Sequence, residues 1–180
     1  MRINRILLDM DDVLVDFVGG AAKAHARDDD IFSYNDWNFY KSWGIERSDF
    51  EKPILAGGEK FWVELEKHPW ADTLIYTCLM AAPVTIATSP FGNPACMAGK
   101  ARWLRRHTGF GPHEVMIGAQ KHLMAKPDVL LIDDSDANVE KFKEAGGQAV
   151  IFSRPWNSGR AFASDPLGKC LEDLSQTFQI

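Results

Sequence analysis

Cysteine is scarce in this chain and none of it is paired. Cys78, Cys96 and Cys170 form an odd set without metal-ligand spacing, which excludes a disulfide framework or a zinc ribbon and predicts reduced thiols in a cytoplasmic protein. There is no basic excess either. Lys and Arg total 20 against 25 Asp and Glu, a formal net charge of −5, so a long nucleic acid is not an expected partner, because polyanion binding needs a basic face. Residues 73–99 carry no charge, yet Pro83, Pro90, Gly92, Asn93 and Pro94 break them up, which rules out a membrane span. Arg2, Arg5 and Asp9 interrupt any early apolar segment, so no signal peptide is expected. Repeats and low-complexity segments are lacking. His25, His68, His107, His113 and His122 share no ligand spacing and read as surface or packing residues.

What the chain does have is acid at the ends of apolar runs. Ile3-Asn4-Arg5-Ile6-Leu7-Leu8 reads as a buried strand and empties into Asp9-Met10-Asp11-Asp12-Val13. Packed carboxylates repel by about 4 kcal/mol per pair at 4 Å and an effective dielectric of about 20. A fold tolerates that where a cation lies between them, and Mg²⁺ takes oxygen ligands. Val129-Leu130-Leu131-Ile132 is a second such run and empties into Asp133-Asp134-Ser135-Asp136; a third, Val84-Thr85-Ile86-Ala87, ends in Thr88-Ser89-Pro90. Continuous apolar runs are the mark of parallel strands buried on both faces, and ligands of open α/β sheets bind at the carboxyl ends of such strands. Acids, hydroxyls and a lysine at three strand ends make a site for phosphate and magnesium.

The rest alternates. Helices are predicted over residues 17–27, 71–80, 94–106 (with Met97, Ala101 and Leu104 on one face) and 137–145, with Asp136 as the cap of the last. Strands are predicted over 84–88, 115–117, 129–132 and 149–152. This is the pattern of an α/β fold with a doubly wound parallel sheet. The length of 180 residues suits one such core plus an accessory element. Residues 28–70 differ: they are rich in aromatics and hold no buried strand, only short helices near 47–55 and 59–67. Trp37, Trp43 and Trp70 read there as core packing. Arg102, Arg105 and Arg106 read as a solvated helix face, and Arg154-Pro155-Trp156-Asn157 leaves the last strand at the functional rim.

In order, Asp9-Met10-Asp11-Asp12-Val13, Thr88-Ser89, Lys121 and Asp133-Asp134 resemble the four motifs of the haloacid-dehalogenase-like (HAD) phosphatases. The chain is most similar to the 5′(3′)-deoxyribonucleotidase group, through Asp9-Met10-Asp11-Asp12-Val13-Leu14-Val15-Asp16-Phe17, Thr88-Ser89-Pro90 and Leu131-Ile132-Asp133-Asp134. The resemblance implies a core of residues 1–16 and 71–180 and a small helical cap, residues 17–70, inserted after the first strand. It implies a Mg²⁺-dependent phosphomonoester hydrolase of the 5′-nucleotidase type working through an aspartyl-phosphate. Asp9 is then the nucleophile and Asp11 the general acid and base. Asp9, the Asp11 backbone carbonyl and Asp134 hold the metal, Asp133 orients Lys121 or a metal-bound water, and Thr88, Ser89 and Lys121 bind phosphate. Phe17, Phe61 and Trp62 face the base of a (deoxy)ribonucleoside monophosphate.

Two departures stand out. The family glycine is Asp12 here, and Lys121 lies farther from the fourth motif than the family lysine does. Lys126 is the alternative, but Lys126-Pro127-Asp128 opens a strand on the opposite rim. Rival readings are a phosphatase for sugar phosphates or nucleic-acid ends, which would differ only in its cap, and a receiver-like phosphate-binding module without turnover. Asp11 counts against a dehalogenase. Base, sugar, the 5′ or 3′ position and oligomeric state, a homodimer included, stay open.

Overall fold

The computed structural model describes residues 2–178. Its centre is a five-stranded sheet of β1 (Arg5–Leu8), β2 (Val84–Thr88), β3 (Val115–Ile117), β4 (Val129–Asp133) and β5 (Gln148–Ile151). The order is β3-β2-β1-β4-β5 and every pairing is parallel. The period-2 geometry of the strands divides their side chains between two cores. Ile6, Leu8, Ile86, Leu130 and Ile132 join the larger one, with Val18, Leu74, Trp103 and Leu174. Leu7, Ala87 and Leu131 point the other way, onto Phe142. Both faces are covered, so the strands carry no polar alternation. Order reverses at β1, which lies between β2 and β4, and this places the binding crevice at their carboxyl ends.

The helices are α1 (Phe17–Ala24), α2 (Arg47–Val63), α3 (Ala71–Ala81), α4 (Pro94–His107), α5 (Asp136–Glu144) and α6 (Pro166–Phe178). Sequence periodicity places most of them within a few residues. Where two short helices are predicted, α2 runs through with a break at Gly58 (φ 55°, ψ −140°). Residues 64–67 are not helical: Lys67 forms an antiparallel bridge with Val15, and the His68 N–H donates to the Leu14 carbonyl at 2.9 Å. The chain leaves and re-enters the region of β1 along these two adjacent segments.

Three predictions are corrected. The buried face of α4 is not Met97, Ala101 and Leu104, since Met97 and Ala101 are exposed; it is Cys96, Gly99, Lys100, Trp103 and Leu104. A Cβ at Gly99 would stand 2.5 Å from Trp62 Cβ and 2.9 Å from the Glu59 carbonyl, so the close approach of α2 and α4 fixes that phase. Asp136 does not cap α5. Ser135 does, accepting from the Asn138 N–H, while the Asp136 carboxylate accepts from the Ser158 N–H at 2.9 Å. Trp37 is not core packing, being 43% exposed. The three cysteines are free and buried, and burial pushes the Cys78 thiol up to about 12. Among the described residues no helix is long and apolar enough to cross a membrane.

Candidate active site

Each of the three central strands delivers its terminal residues to one rim. Asp9 follows β1, Thr88 ends β2 with Ser89 next, and Asp133 ends β4 with Asp134 next. Lys121, in the turn after β3, reaches between them. Its Nζ lies 2.6 Å from Asp9 Oδ1 and 2.6 Å from Asp133 Oδ2, with the side chain 2% exposed. Burial opposes the charge on Lys121, but Asp9 and Asp133 outweigh it and raise its pKa. Lys126 is exposed before the start of β4, away from this rim.

Asp133 is fully engaged. Lys121 donates to Oδ2, the Ser135 N–H donates to Oδ1 at 2.9 Å, and Asn138 Nδ2 donates to both oxygens at 3.1 and 3.2 Å. Burial first, then Asp9, pushes its carboxyl up to about 6. Asp134 accepts from Trp156 Nε1 at 2.8 Å; burial, then Asp12, Asp9 and Asp133, raise its pKa well above the carboxylate range. Ligand oxygens of Asp9, Asp133 and Asp134 lie within 4.8 Å of one another. Three buried acids face one lysine, and a cation would relieve the repulsion that raises Asp133 and Asp134, so this oxygen set fits a hard divalent cation.

Lys100, on the inward face of α4, is a residue that sequence reasoning missed. Its side chain is 0% exposed. Its Nζ donates to the Asp11 carboxylate, to Thr88 Oγ1 at 2.8 Å and to the Ser89 carbonyl at 2.7 Å, and lies 5.0 Å from the Trp62 ring centroid. Asp11 Oδ1 is buried with no hydrogen-bond partner among the described residues. Burial raises the Asp11 pKa, with Lys100 pulling against it and Asp9 adding to it. Thr88 is buried beneath this lysine, whereas Asp9, Asp11, Ser89, Lys121 and Asp134 line one cavity of about 230 Å³.

Asp12 takes φ 55°, a left-handed backbone that glycine adopts without cost. Its side chain is fully buried, accepts from the Val18 N–H at 3.1 Å, and lies 4.0 Å from Arg154 Nη2. Burial raises its pKa and Arg154 opposes the rise. Asp12, Asp16 and His68 make a second group of close ligand atoms. The Arg154 guanidinium, 2% exposed and with no hydrogen-bond partner for Nε and Nη2 among the described residues, already supplies the cation there, so a metal is disfavoured. Burial, then Arg154, holds His68 down to about 3, so it is neutral.

Beside the acidic cavity is an aromatic one of about 320 Å³, sharing Asp11, Trp37 and Ser89 with it and walled by Phe17, Phe39, Tyr40, Phe50 and Phe91. Phe17 is thus placed at the site. Phe61 and Trp62 are not. Trp62, 2% exposed, is packed against Phe17 at 5.6 Å, and Phe61 faces a separate depression beside Lys23 and Glu64. Trp37 holds the place at the boundary instead, 6.3 Å from Phe17 and near parallel to it. An exposed-ring position of this kind has no local pattern by which sequence distinguishes it from core.

The fold has relatives among solved structures. A haloacid-dehalogenase-like protein of unknown function from Agrobacterium tumefaciens strain C58 superposes with a TM-score of 0.61 at 13% identity, covering 96% of this chain and 99% of its own. A haloacid-dehalogenase-like family hydrolase from Xanthomonas campestris gives 0.58 at 13% identity, with 97% of both chains covered. The magnesium-bound form of the Bacillus subtilis HAD-hydrolase YfnB gives 0.57 at 15%, with 100% of both covered. No curated protein matches the chain by sequence. The fold is that of the HAD hydrolases. More narrowly, the chain belongs to the family described as 5′ nucleotidase, deoxy (pyrimidine), cytosolic type C protein, whose model matches residues 2–162. It is a phosphatase of the 5′-nucleotidase type.

Proposed function

We propose that the protein dephosphorylates (deoxy)ribonucleoside monophosphates through an aspartyl-phosphate on Asp9, with Mg²⁺ as its cofactor. The observation that carries this reading is the placing of Asp9 at the end of β1, paired to Lys121 and opening on a cavity that continues into an aromatic one. An Asp9 oxygen attacks phosphorus in line, and the bond from phosphorus to the ester oxygen breaks. Asp11 gives its proton to the leaving oxygen; burial raises its pKa, the direction that favours the protonated form this step uses. Water then attacks the phosphorus of the aspartyl-phosphate, Asp11 takes the proton, and Asp9 and inorganic phosphate are released.

Ser89, with the Thr88 hydroxyl behind it, and Lys121 bind phosphoryl oxygens. Asp9, Asp134 and the Asp11 carbonyl hold Mg²⁺, with Asp133 steadying Lys121. The metal supplies positive charge against the phosphoryl oxygens. The aromatic cavity takes the nucleoside, since rings stack on any base at about 1–3 kcal/mol each. In the same reading residues 17–70 are a cap on a core of 1–16 and 71–180, joined to it at the paired segments around Val15 and Lys67, and the buried free thiols suit a cytoplasmic setting.

Phosphate release with Mg²⁺ across nucleoside monophosphates, sugar phosphates and phosphorylated oligonucleotide ends tests the reading. Selective release from nucleoside monophosphates is expected. Preference for sugar phosphates or oligonucleotide ends would move the substrate, and no turnover anywhere would leave a phosphate-binding module.

The acids also set a pH dependence. A carboxyl raised in the folded state adds stability below its ordinary pKa that is lost as pH rises through the raised value. For Asp133 that window runs from about 4 to about 6, Asp134, the metal ligand of this reading, is raised in the same direction, and a cation needs the deprotonated form. The rise in Tm produced by Mg²⁺ is therefore expected to shrink as pH falls from 7 to 5. His68, held down to about 3, loses its contribution as pH falls below 6.5; this happens with or without Mg²⁺ and cancels in the difference. Thermal unfolding with Mg²⁺ and with EDTA across this range is the check, and a constant increment would contradict it.

A further inference from the structure

The carboxylate of Asp134 takes its donor from outside the cluster of acids and lysine. Trp156 Nε1 donates to Asp134 Oδ2 at 2.8 Å, and Asn157 Nδ2 donates to the Asp134 backbone carbonyl at 2.8 Å. The turn that presents them is tied to itself. Asn157 Nδ2 also donates to the Phe152 carbonyl at 2.8 Å, and Asn157 Oδ1 accepts from the Arg154 and Gly159 N–H groups at 3.1 and 3.0 Å. Trp156 is buried at 7% exposure, with the Arg154 guanidinium carbon 4.9 Å from its ring centroid. An indole N–H only donates, and it sits on a rigid ring. It can engage one carboxylate oxygen, and it cannot compete for a cation. No donor among the described residues reaches Asp134 Oδ1.

We infer that Trp156 is a positioning residue for the divalent cation: by occupying Oδ2 it fixes the plane of the Asp134 carboxylate and leaves Oδ1 as the coordinating oxygen. This rests on the reading of Asp134 as a metal ligand. Arg154 belongs to the same device. Lying over the indole and 4.0 Å from Asp12, it answers the charge that stands where the family has glycine, and it holds the ring in place. The loop after the last strand thus links the first and fourth motifs, which β1 and β4 bring side by side.

Calorimetric titration with Mg²⁺, without substrate, tests the inference on the wild type, Trp156→Phe and Asp134→Asn. The Phe variant keeps a ring and loses the donor. Its Mg²⁺ affinity is expected to fall about 10- to 100-fold, the scale for a lost partner of a metal ligand, with stoichiometry unchanged, and its turnover at low Mg²⁺ is expected to recover as Mg²⁺ is raised. Should it fail to fold, benzothienylalanine at position 156 replaces the N–H with sulfur in the same ring outline and is read identically. Wild-type Mg²⁺ affinity in either variant, with Asp134→Asn impaired, would overturn the role of Trp156 alone. A wild-type protein that takes up no Mg²⁺ would overturn the cation reading itself.

Discussion

Asp9→Asn is expected to lower phosphate release by on the order of 10⁴-fold or more, the scale on which enzymes lose turnover when the nucleophile is removed, while the protein stays folded. The amide is nearly isosteric with the carboxylate but offers no anionic oxygen to phosphorus. Lys121 keeps a buried partner, because Asp133 Oδ2 remains 2.6 Å from its Nζ. Asp9 is also one of the charges that raise Asp133 and Asp134, so its neutralisation relieves repulsion in the metal-free protein. Stability measured in EDTA should be unchanged or higher, by up to a few degrees in Tm. Loss of activity with retained or increased stability is a signature that damage to the fold cannot produce. Phosphate release and thermal unfolding on the same preparation decide it. A residual rate within tenfold of the wild type would place the nucleophile elsewhere.

How much of this was legible in the sequence follows from what buries each residue. β1, β2 and β4 are short apolar runs closed by acids or hydroxyls, and a parallel strand covered on both faces leaves that trace. The sheet and the residues at its rim could therefore be read directly. Lys100 could not. It sits mid-helix among Cys96, Gly99 and Trp103, and a buried charge interrupts the apolar periodicity by which a helix face is found. Met97, Ala101 and Leu104 offered a competing apolar stripe, and reading that one left Lys100 unnoticed. The small residue at 99 and the aromatic at 103 were the available signal for the true face. Trp37 and Trp62 exchanged places for a related reason: an aromatic ring reads the same in a cavity wall and in a core, and only the packing of α2 on α4 decides which is covered. Arg154 and Trp156 lie on a loop that sequence places at the rim, but the residues they meet, Asp12 and Asp134, are remote in the chain, and local pattern carries no record of such contacts.

Lys100→Met should damage both stability and the second half of the reaction. Methionine fills nearly the same volume without a donor. It leaves the Asp11 carboxylate, the Thr88 hydroxyl and the Ser89 carbonyl without the ammonium group that joins them. Removing one member of a buried ion pair costs about 3–5 kcal/mol. The lower end applies here, because the Asp11 side chain is 18% exposed and can take up a proton in place of its lost partner. That proton determines the kinetic effect. Lys100 is the strongest influence holding the Asp11 pKa down against burial; without it the carboxyl stays protonated to higher pH. In the proposed mechanism a protonated Asp11 would still serve as the acid that releases the alcohol, but it could not serve as the base that activates water. Turnover at neutral pH is therefore expected to fall about 10²-fold or more, with a burst of one equivalent of alcohol before the slow phase and an acidic limb of the kcat profile displaced to higher pH. Rapid-mixing measurements with a chromogenic phosphate monoester would show the burst, and a uniform loss of rate with no burst and an unmoved pH profile would reduce Lys100 to a scaffold for β2. In the proposed mechanism the lysine would therefore join the two halves of the cycle, pulling down the pKa of a carboxyl that gives up its proton in the first step and accepts another in the second.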